Sequence, residues 1–288
     1  MAWRIRRGCR PPPGVPRPGA QPLTPLELLD ERPGLPEWQL PAELRRLYGG
    51  PFGLPEPCLV ANFVQTLDGV VAIPDIERSN ALVSDESEAD RFLVGLLRAS
   101  ADVVLVGSRT LRASGRGTWR PERVYPAAAA AFAELRRERG RPERPAVAVL
   151  TAGGSLDPAH PILAEGALVL TTEGAAAEVR AAVPPATEVV AVNEGDLVDP
   201  ALAVAALHRR GHAVILSEAG PTVFAQLLAA RLVDELFLTL SPLVAGRGPG
   251  RRLGLAESVE LLPGTRVETA LSSLRRSGSH LFLRYEIS

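Results

Sequence analysis

Three short segments place small, hydroxyl-bearing or charged residues directly behind an apolar run. They are Val106-Gly107-Ser108-Arg109-Thr110, Leu216-Ser217-Glu218-Ala219-Gly220-Pro221-Thr222, and Leu150-Thr151-Ala152-Gly153-Gly154, the last joined by Thr171-Thr172 behind the next apolar run. The chemistry that such segments can do is anion binding. Glycine behind a strand lets a ligand approach the backbone, and the N–H groups that follow can hold a phosphate. In the first segment Ser108, Arg109 and Thr110 would assist; an ordinary helix start with an exposed arginine uses the same residues. In the second, a small-residue turn into a Pro-initiated helix suits a pyrophosphate, and Glu218 at the strand mouth could accept hydrogen bonds from an amide or hydroxyl; a simple helix cap with a solvated glutamate is the other reading. In the third, hydroxyls at neighbouring strand ends suit an adenosine ribose or its phosphate, or plain loop turns.

Two further carboxylates bear on chemistry. Asp68 sits in Thr66-Leu67-Asp68-Gly69, a turn signal in which Asp is expected to hold the turn. Asp90 lies two positions before Phe92, so it need not share that residue's apolar face, and the residues alone predict a solvated carboxylate. The four histidines, His160, His208, His212 and His280, are scattered; His208 and His212 are four apart, but Gly211 breaks the helix between them, and no metal site is expected.

Several chemistries are excluded. The chain contains no lysine, which removes a pyridoxal-phosphate Schiff base and a Walker A loop. Zinc-finger and iron–sulfur sites lack ligands, and no Gly-x-Ser-x-Gly elbow is present. The glycine-dense run Gly246-Arg247-Gly248-Pro249-Gly250 leads into no helical pattern, so no ordinary Rossmann fingerprint is proposed.

The elements that must position these residues follow from length and pattern. The chain has 288 residues, 46% hydrophobic and 23% charged, with a formal net charge of −1. That is the balance of a globular protein without an overall field for nucleic acid or an anionic membrane. No apolar run reaches the roughly 20 residues needed to cross a bilayer, and the N-terminus does not read as a secretory signal, so a cytoplasmic location is expected. Of the two cysteines, Cys9 lies in a Pro-rich arm, and no structural disulfide is expected with Cys58. Residues 1–25 are arginine, proline and glycine with little to bury and read as a disordered arm; residues 26–56 read as a lead-in segment with a short helix over 40–47.

From residue 57 to 288 the pattern is regular. Apolar strands are expected at 58–64, 103–106, 147–150, 167–170, 188–192 and 214–216, separated by helices that include one capped by Ser84, one at 127–139, one at 202–210 and one opened by Pro221. Strands at 236–240, 266–274 and 281–287 follow, with no helix between the last two. The expectation is an α/β fold, with a mostly parallel central sheet flanked by helices and antiparallel C-terminal edge strands. In such sheets ligands bind at the C-terminal strand ends beside a topological switch point, where the three segments lie.

Taken in order, the motifs resemble the stand-alone form of the reductase that is the C-terminal domain of the riboflavin-pathway deaminase-reductase, in the dihydrofolate reductase superfamily. The likeness runs from about Cys58 to Ser288. It is carried by Asn62 with Thr66-Leu67-Asp68-Gly69; by Leu97-Arg98 with Ala101-Asp102-Val103-Val104-Leu105-Val106-Gly107 and Thr110; by Glu218 with Gly220-Pro221-Thr222; and by Leu232-Val233-Asp234-Glu235-Leu236 leading to Ser241-Pro242. No cytidine-deaminase-type zinc motif precedes them. The resemblance implies a dihydrofolate-reductase-like fold and NADPH extended across the strand ends. Gly107, Ser108, Arg109 and Thr110 would lie by its phosphates, Thr151 towards the adenosine, Ala219, Gly220, Pro221 and Thr222 around the pyrophosphate, and Asn62 near the nicotinamide. Asp90 matches the carboxylate that binds the substrate ring in dihydrofolate reductases. Asp90 and Glu218 are the acids available for proton delivery, with a bound water as the other donor.

The implied reaction is hydride transfer to C1′ of the ribosylamino side chain of a 5-amino-6-(5-phosphoribosylamino)uracil-type pyrimidine. The alternatives are a dihydrofolate or other imine or carbonyl reductase on the same fold, and a nucleotide-binding protein without catalysis. A homodimer is expected from the resemblance. Two departures stand out. The usual Glu-Gly-Gly-Pro is Glu218-Ala219-Gly220-Pro221, and alanine resists torsions that glycine allows, so an altered cradle is expected. The paired-aspartate segment after Thr110 is replaced by 111–117, where Arg112 or Arg116 could meet a substrate phosphate or carboxylate.

Overall fold

The structure is a computed structural model that describes residues 23–288 except Asp75, Glu77, Gly154 and Ser155. Most of the arm expected at 1–25, including Cys9, lies outside the described residues, as does Gly154 of the third segment. In chain order the elements are β1 (Glu27–Glu31), α1 (Ala42–Tyr48), β2 (Cys58–Gln65), α2 (Ser79–Val83), α3 (Glu88–Ser100), β3 (Val103–Gly107), α4 (Ser108–Ala113), α5 (Pro121–Val124), α6 (Ala129–Glu138) and β4 (Ala146–Leu150). They continue with α7 (Pro161–Ala164), β5 (Leu168–Thr172), α8 (Glu173–Ala182), β6 (Glu188–Asn193), α9 (Pro200–His208), β7 (Val214–Ser217), α10 (Pro221–Ala229), β8 (Glu235–Leu240), β9 (Thr269–Ser277) and β10 (His280–Ile287).

All ten strands join one sheet in the order β1-β9-β10-β8-β2-β7-β3-β4-β5-β6. The run from β8 to β6 is parallel, and β10, β9 and β1 close the other side by antiparallel pairing. The expected α/β class, parallel core and antiparallel C-terminal strands are all present. The central strands form because their β-branched and leucine runs are buried on both faces; Val103, Val104, Leu105 and Val106 are fully buried.

The crossover rule assigns the helices to faces. From β2 the chain steps outward through β3, β4, β5 and β6, and α3, α6 and α8 contribute Phe92, Leu96, Phe132 and Val179 to the core on one face. It then returns through α9 and α10, which contribute Leu207, Phe224 and Leu227 to the core on the other face. The return inserts β7 between β2 and β3, and that insertion is the switch point.

The 26–56 segment is built into this body. β1 pairs with β9, and Leu26, Leu44, Leu47, Phe52 and Leu54 belong to the core under α3. One expected cap moves. Ser84 ends α2, whereas Ser87 caps α3, its hydroxyl accepting the Asp90 N–H at 3.3 Å. The reason lies in the backbone: Asp85 and Glu86 take φ of 54° and 51°, left-handed conformations that cannot belong to a right-handed helix.

Candidate functional site

The turns behind β3 and β7 lie side by side at the switch point. A Cβ added to Gly220 would stand 3.4 Å from Thr110 Oγ1, and one added to Gly107 would stand 3.4 Å from Val223 Cγ2. Gly107 caps α4 and Gly220 caps α10, neither with a side-chain acceptor, so the first N–H groups of both helices have no side-chain partner at the cap. Ser108, Thr110, Gly220 and Thr222 are half-buried around this junction, Pro221 is buried, and Arg109 is exposed. The two turns thus make a glycine-floored trough bordered by hydroxyls and one arginine.

The expected distortion at Ala219 does not arise. Neither Ala219 nor Gly220 has a positive φ, and Gly220 lies at φ −67°. Alanine therefore meets this backbone without strain, and its methyl is buried.

The two candidate acids differ. Glu218 is not a solvated carboxylate. Its oxygens accept Arg98 Nε at 2.7 Å and Arg98 NH2 at 2.6 Å, and both side chains are largely buried. Its backbone N–H donates to the Leu105 carbonyl at 3.0 Å, which fixes the turn against β3. Asp90 also departs from the solvated reading: it is 8% exposed. Burial pushes its carboxyl up to about 6, and nearby Glu218 adds to this, while Thr239, His280 and Arg91 oppose it. The cause is topological, because the first turn of α3 is roofed by the ends of β8 and β10. His280 Nε2 lies 3.0 Å from the Ser84 carbonyl and so ties the β9–β10 hairpin to the turn that opens α3.

Several buried polar atoms towards these strand ends have no partner in the protein: Asn62 Oδ1 on β2, Ser217 Oγ on β7, Ser241 Oγ just beyond β8, and Thr171 Oγ1 on β5. An unsatisfied buried polar atom is unfavourable by about 1–3 kcal/mol, and several at one sheet edge mark where a ligand's polar groups fit. Thr151, Thr171 and Thr172 are all buried at the ends of β4 and β5. Arg112 and Arg116 are exposed, at the end of α4 and in the loop behind it.

The remaining motifs are structural. Asp68 accepts the Thr66 hydroxyl at 2.6 Å and the Ala245 and Gly246 N–H groups at 3.0 and 2.8 Å, which hold its carboxyl down to about 2. His160 stands 3.3 Å from the Ser114 hydroxyl, a spacing that resembles an activated serine. The polarity is the reverse. His160 Nδ1 accepts the Ile162 N–H, so Nε2 carries the hydrogen, and Ser114 donates to the Leu111 carbonyl. Buried Cys58 is a free thiol that desolvation pushes up to about 12, which rules out a thiolate nucleophile. Among the described residues no group of His, Cys, Asp or Glu could hold a metal ion, and no helix is long and apolar enough to cross a membrane. A cavity of about 600 Å³ opens at the opposite, N-terminal edge of the sheet, away from the residues expected to hold coenzyme or substrate.

Sequence reasoning missed Arg98 and His280 as members of this site. Each meets its partner only through tertiary folding.

Known proteins share this fold. A profile of the RibD C-terminal domain matches residues 57–280. Among solved structures, a pyrimidine reductase-like protein of Corynebacterium diphtheriae superposes with a TM-score of 0.65 at 22% identity, covering 87% of this chain and 96% of that one. Acinetobacter baumannii RibD gives 0.55 at 15% identity, over 85% of this chain and 60% of that longer one. The riboflavin biosynthesis reductase of Saccharomyces cerevisiae gives 0.52 at 14% identity, over 83% and 94%. No curated protein sequence matches the chain.

Proposed function

The chain belongs to the family of the RibD C-terminal domain, and from that premise we propose that it is an NADPH-dependent reductase of the riboflavin-pathway pyrimidine. The observation that carries the coenzyme reading is the junction of the two glycine turns, where Gly220 and Thr110 face each other with no side chain between them. The residues fit the group. Uncapped N–H groups at α4 and α10, with Ser108, Thr110, Thr222 and Arg109, suit a pyrophosphate. Thr151 and Thr171 suit the adenosine side, and the unpartnered Asn62 Oδ1 suits a carboxamide N–H. When bound, NADPH would supply a hydride to the C=N carbon of the ring-opened ribosylamine.

The chain's own contributions are orientation and proton control. The Arg98–Glu218 pair fixes the turn that carries Gly220, so the trough is preorganised. Asp90, raised to about 6 by burial, holds its proton below that pH and keeps a protonated minority at neutral pH that can be offered to the substrate nitrogen. Arg112 and Arg116, exposed beside the trough, would meet the ribose phosphate.

The test is to follow the absorbance of reduced nicotinamide in the presence of 5-amino-6-(5-phosphoribosylamino)uracil. The expected result is oxidation that needs both the protein and the pyrimidine. Tight NADPH binding without oxidation would overturn the substrate; absence of NADPH binding would overturn the coenzyme.

A further inference from the structure

The cavity at the N-terminal sheet edge has the composition of an anion site. Its volume of about 600 Å³ is within the range of roughly 300–1,000 Å³ typical of small-molecule sites. It lies under the starts of β4, β5 and β7 and is lined by Arg139, Arg141, Arg144 and Arg210 against three carboxylates, Glu56, Asp102 and Glu165.

Each of the three carboxylates is paired with arginine; Asp102 accepts through both oxygens, and Glu56 and Glu165 through one oxygen each. Glu56 Oε1 accepts Arg139 and Arg141, both at 2.7 Å. Asp102 accepts Arg141 Nε and the Val214 N–H, both at 2.7 Å. Glu165 Oε2 accepts Arg120 at 2.6 Å and Arg144 at 3.2 Å. The guanidinium groups are not fully engaged. Arg144 reaches Glu165 at 3.2 Å with a side chain 49% exposed. Arg210 has Glu188 and the Ala206 carbonyl as partners, neither of which lines the cavity, and it stays one-third exposed. Four arginines against three carboxylates leave the lining with one positive charge in excess, carried where Arg144 and Arg210 stay partly exposed.

We propose that this cavity binds a small phosphate-bearing anion, at a site separate from the coenzyme trough. Arg144 comes from the connection between α6 and β4, and Arg210 from the end of α9. Forked donors entering from two separate connections suit a tetrahedral oxyanion with several acceptor oxygens better than a planar carboxylate with two. The inference does not depend on the reductase reading, because the trough lies at the opposite edge of the sheet.

Calorimetric titration of the full chain with inorganic pyrophosphate tests it, with citrate at matched ionic strength as comparator. The expected result is saturable binding that weakens with added salt and falls at least tenfold in Arg144→Ala/Arg210→Ala. In Arg109→Ala, at the coenzyme turns, pyrophosphate binding is expected to be retained, and the double variant is expected to keep its NADPH affinity. Circular dichroism checks the fold of the double variant; Arg144→Gln alone, expected to lose about threefold or more, serves if that variant is unfolded. Three results would each overturn the proposal: no saturable pyrophosphate binding, loss of binding in Arg109→Ala but not in the double variant, or citrate binding as tight as pyrophosphate.

Discussion

Arg98 and Glu218, 120 residues apart, meet in a two-pronged ion pair that joins the last turn of α3 to the turn behind β7. The helix and the turn belong to opposite faces of the sheet, so the pair bridges the strand ends at the switch point. A planar guanidinium against a carboxylate fixes orientation as well as distance. Glu218 is thereby an anchor for the Gly220 turn, and its carboxylate is committed to that pairing.

The pair predicts a coupled loss of stability. Glu218→Gln leaves Arg98 largely buried without its counter-charge, and we expect it to destabilise by about 2 kcal/mol. Arg98→Met should lose a similar amount, and the double variant less than the sum, with a coupling energy of roughly 1–3 kcal/mol. Urea midpoints of the four proteins measure this. Additive losses would mean that the pair does not hold the turn.

Asp90 makes a prediction of opposite sign. A carboxyl raised from 3.8 to about 6 by folding contributes full stability below its unfolded value and loses it as pH rises through the folded one. Above pH 6 the native state carries a buried charge that the unfolded chain carries in water. Asp90→Asn should therefore stabilise the fold at pH 7.5 by on the order of 2 kcal/mol, seen as a higher melting temperature, with little effect at pH 4. It should at the same time reduce turnover, as expected where a site holds a strained group. Equal shifts at both pH values, or a loss at pH 7.5, would show that the carboxyl is not raised.

What could be read from the chain depends on the range of the interaction. Val103 to Val106 announce a doubly buried strand because all of them are apolar, and Pro221 announces a helix start. β1 does not announce itself: Glu-Leu-Leu-Asp-Glu has no period-two pattern, since an exposed edge imposes none, and its pairing is with β9, more than 240 residues away in sequence. The stretch Ser84-Asp85-Glu86-Ser87 offers two serine caps, and only the left-handed backbone at Asp85 and Glu86 selects the second. Asp90 reads as solvated from its own helix because its roof, Thr239 and His280, comes from the far end of the chain. Ala219 shows the converse: a departure that looked like a distortion is neutral, because that backbone never needed glycine.

Gly107 and Gly220 separate the fold from the coenzyme. Both have negative φ, and an added Cβ meets its nearest neighbour at an ordinary 3.4 Å. Gly107→Ala and Gly220→Ala should thus leave stability within about 1 kcal/mol of the wild type. The same methyl would stand where a phosphate approaches the backbone, so NADPH affinity should fall tenfold or more in each. Thermal unfolding and fluorescence titration measure the two effects. Unchanged affinity in both variants would remove the trough as the coenzyme site.

Arg136 connects the core to this site. It is 1% exposed, and it donates to the carbonyls of Ala101 at 2.7 Å, Ala99 at 3.1 Å, Arg98 at 3.4 Å and Pro142 at 2.6 Å. Three of these acceptors are at the end of α3, where the helix itself leaves carbonyls unpaired. Burial pulls its proton affinity down to about 10, which still leaves it charged at neutral pH. Arg136→Met strips those carbonyls, and Arg136→Lys cannot reproduce the fork, so each should lose about 3 kcal/mol or more. Because Arg98 sits on the same helix end, loosening it should also weaken NADPH binding several-fold at temperatures where the protein remains folded. Urea unfolding together with coenzyme titration reads both effects, and an Arg136→Lys variant within about 0.5 kcal/mol of wild type would show that the α3 terminus needs a cation there but no fork.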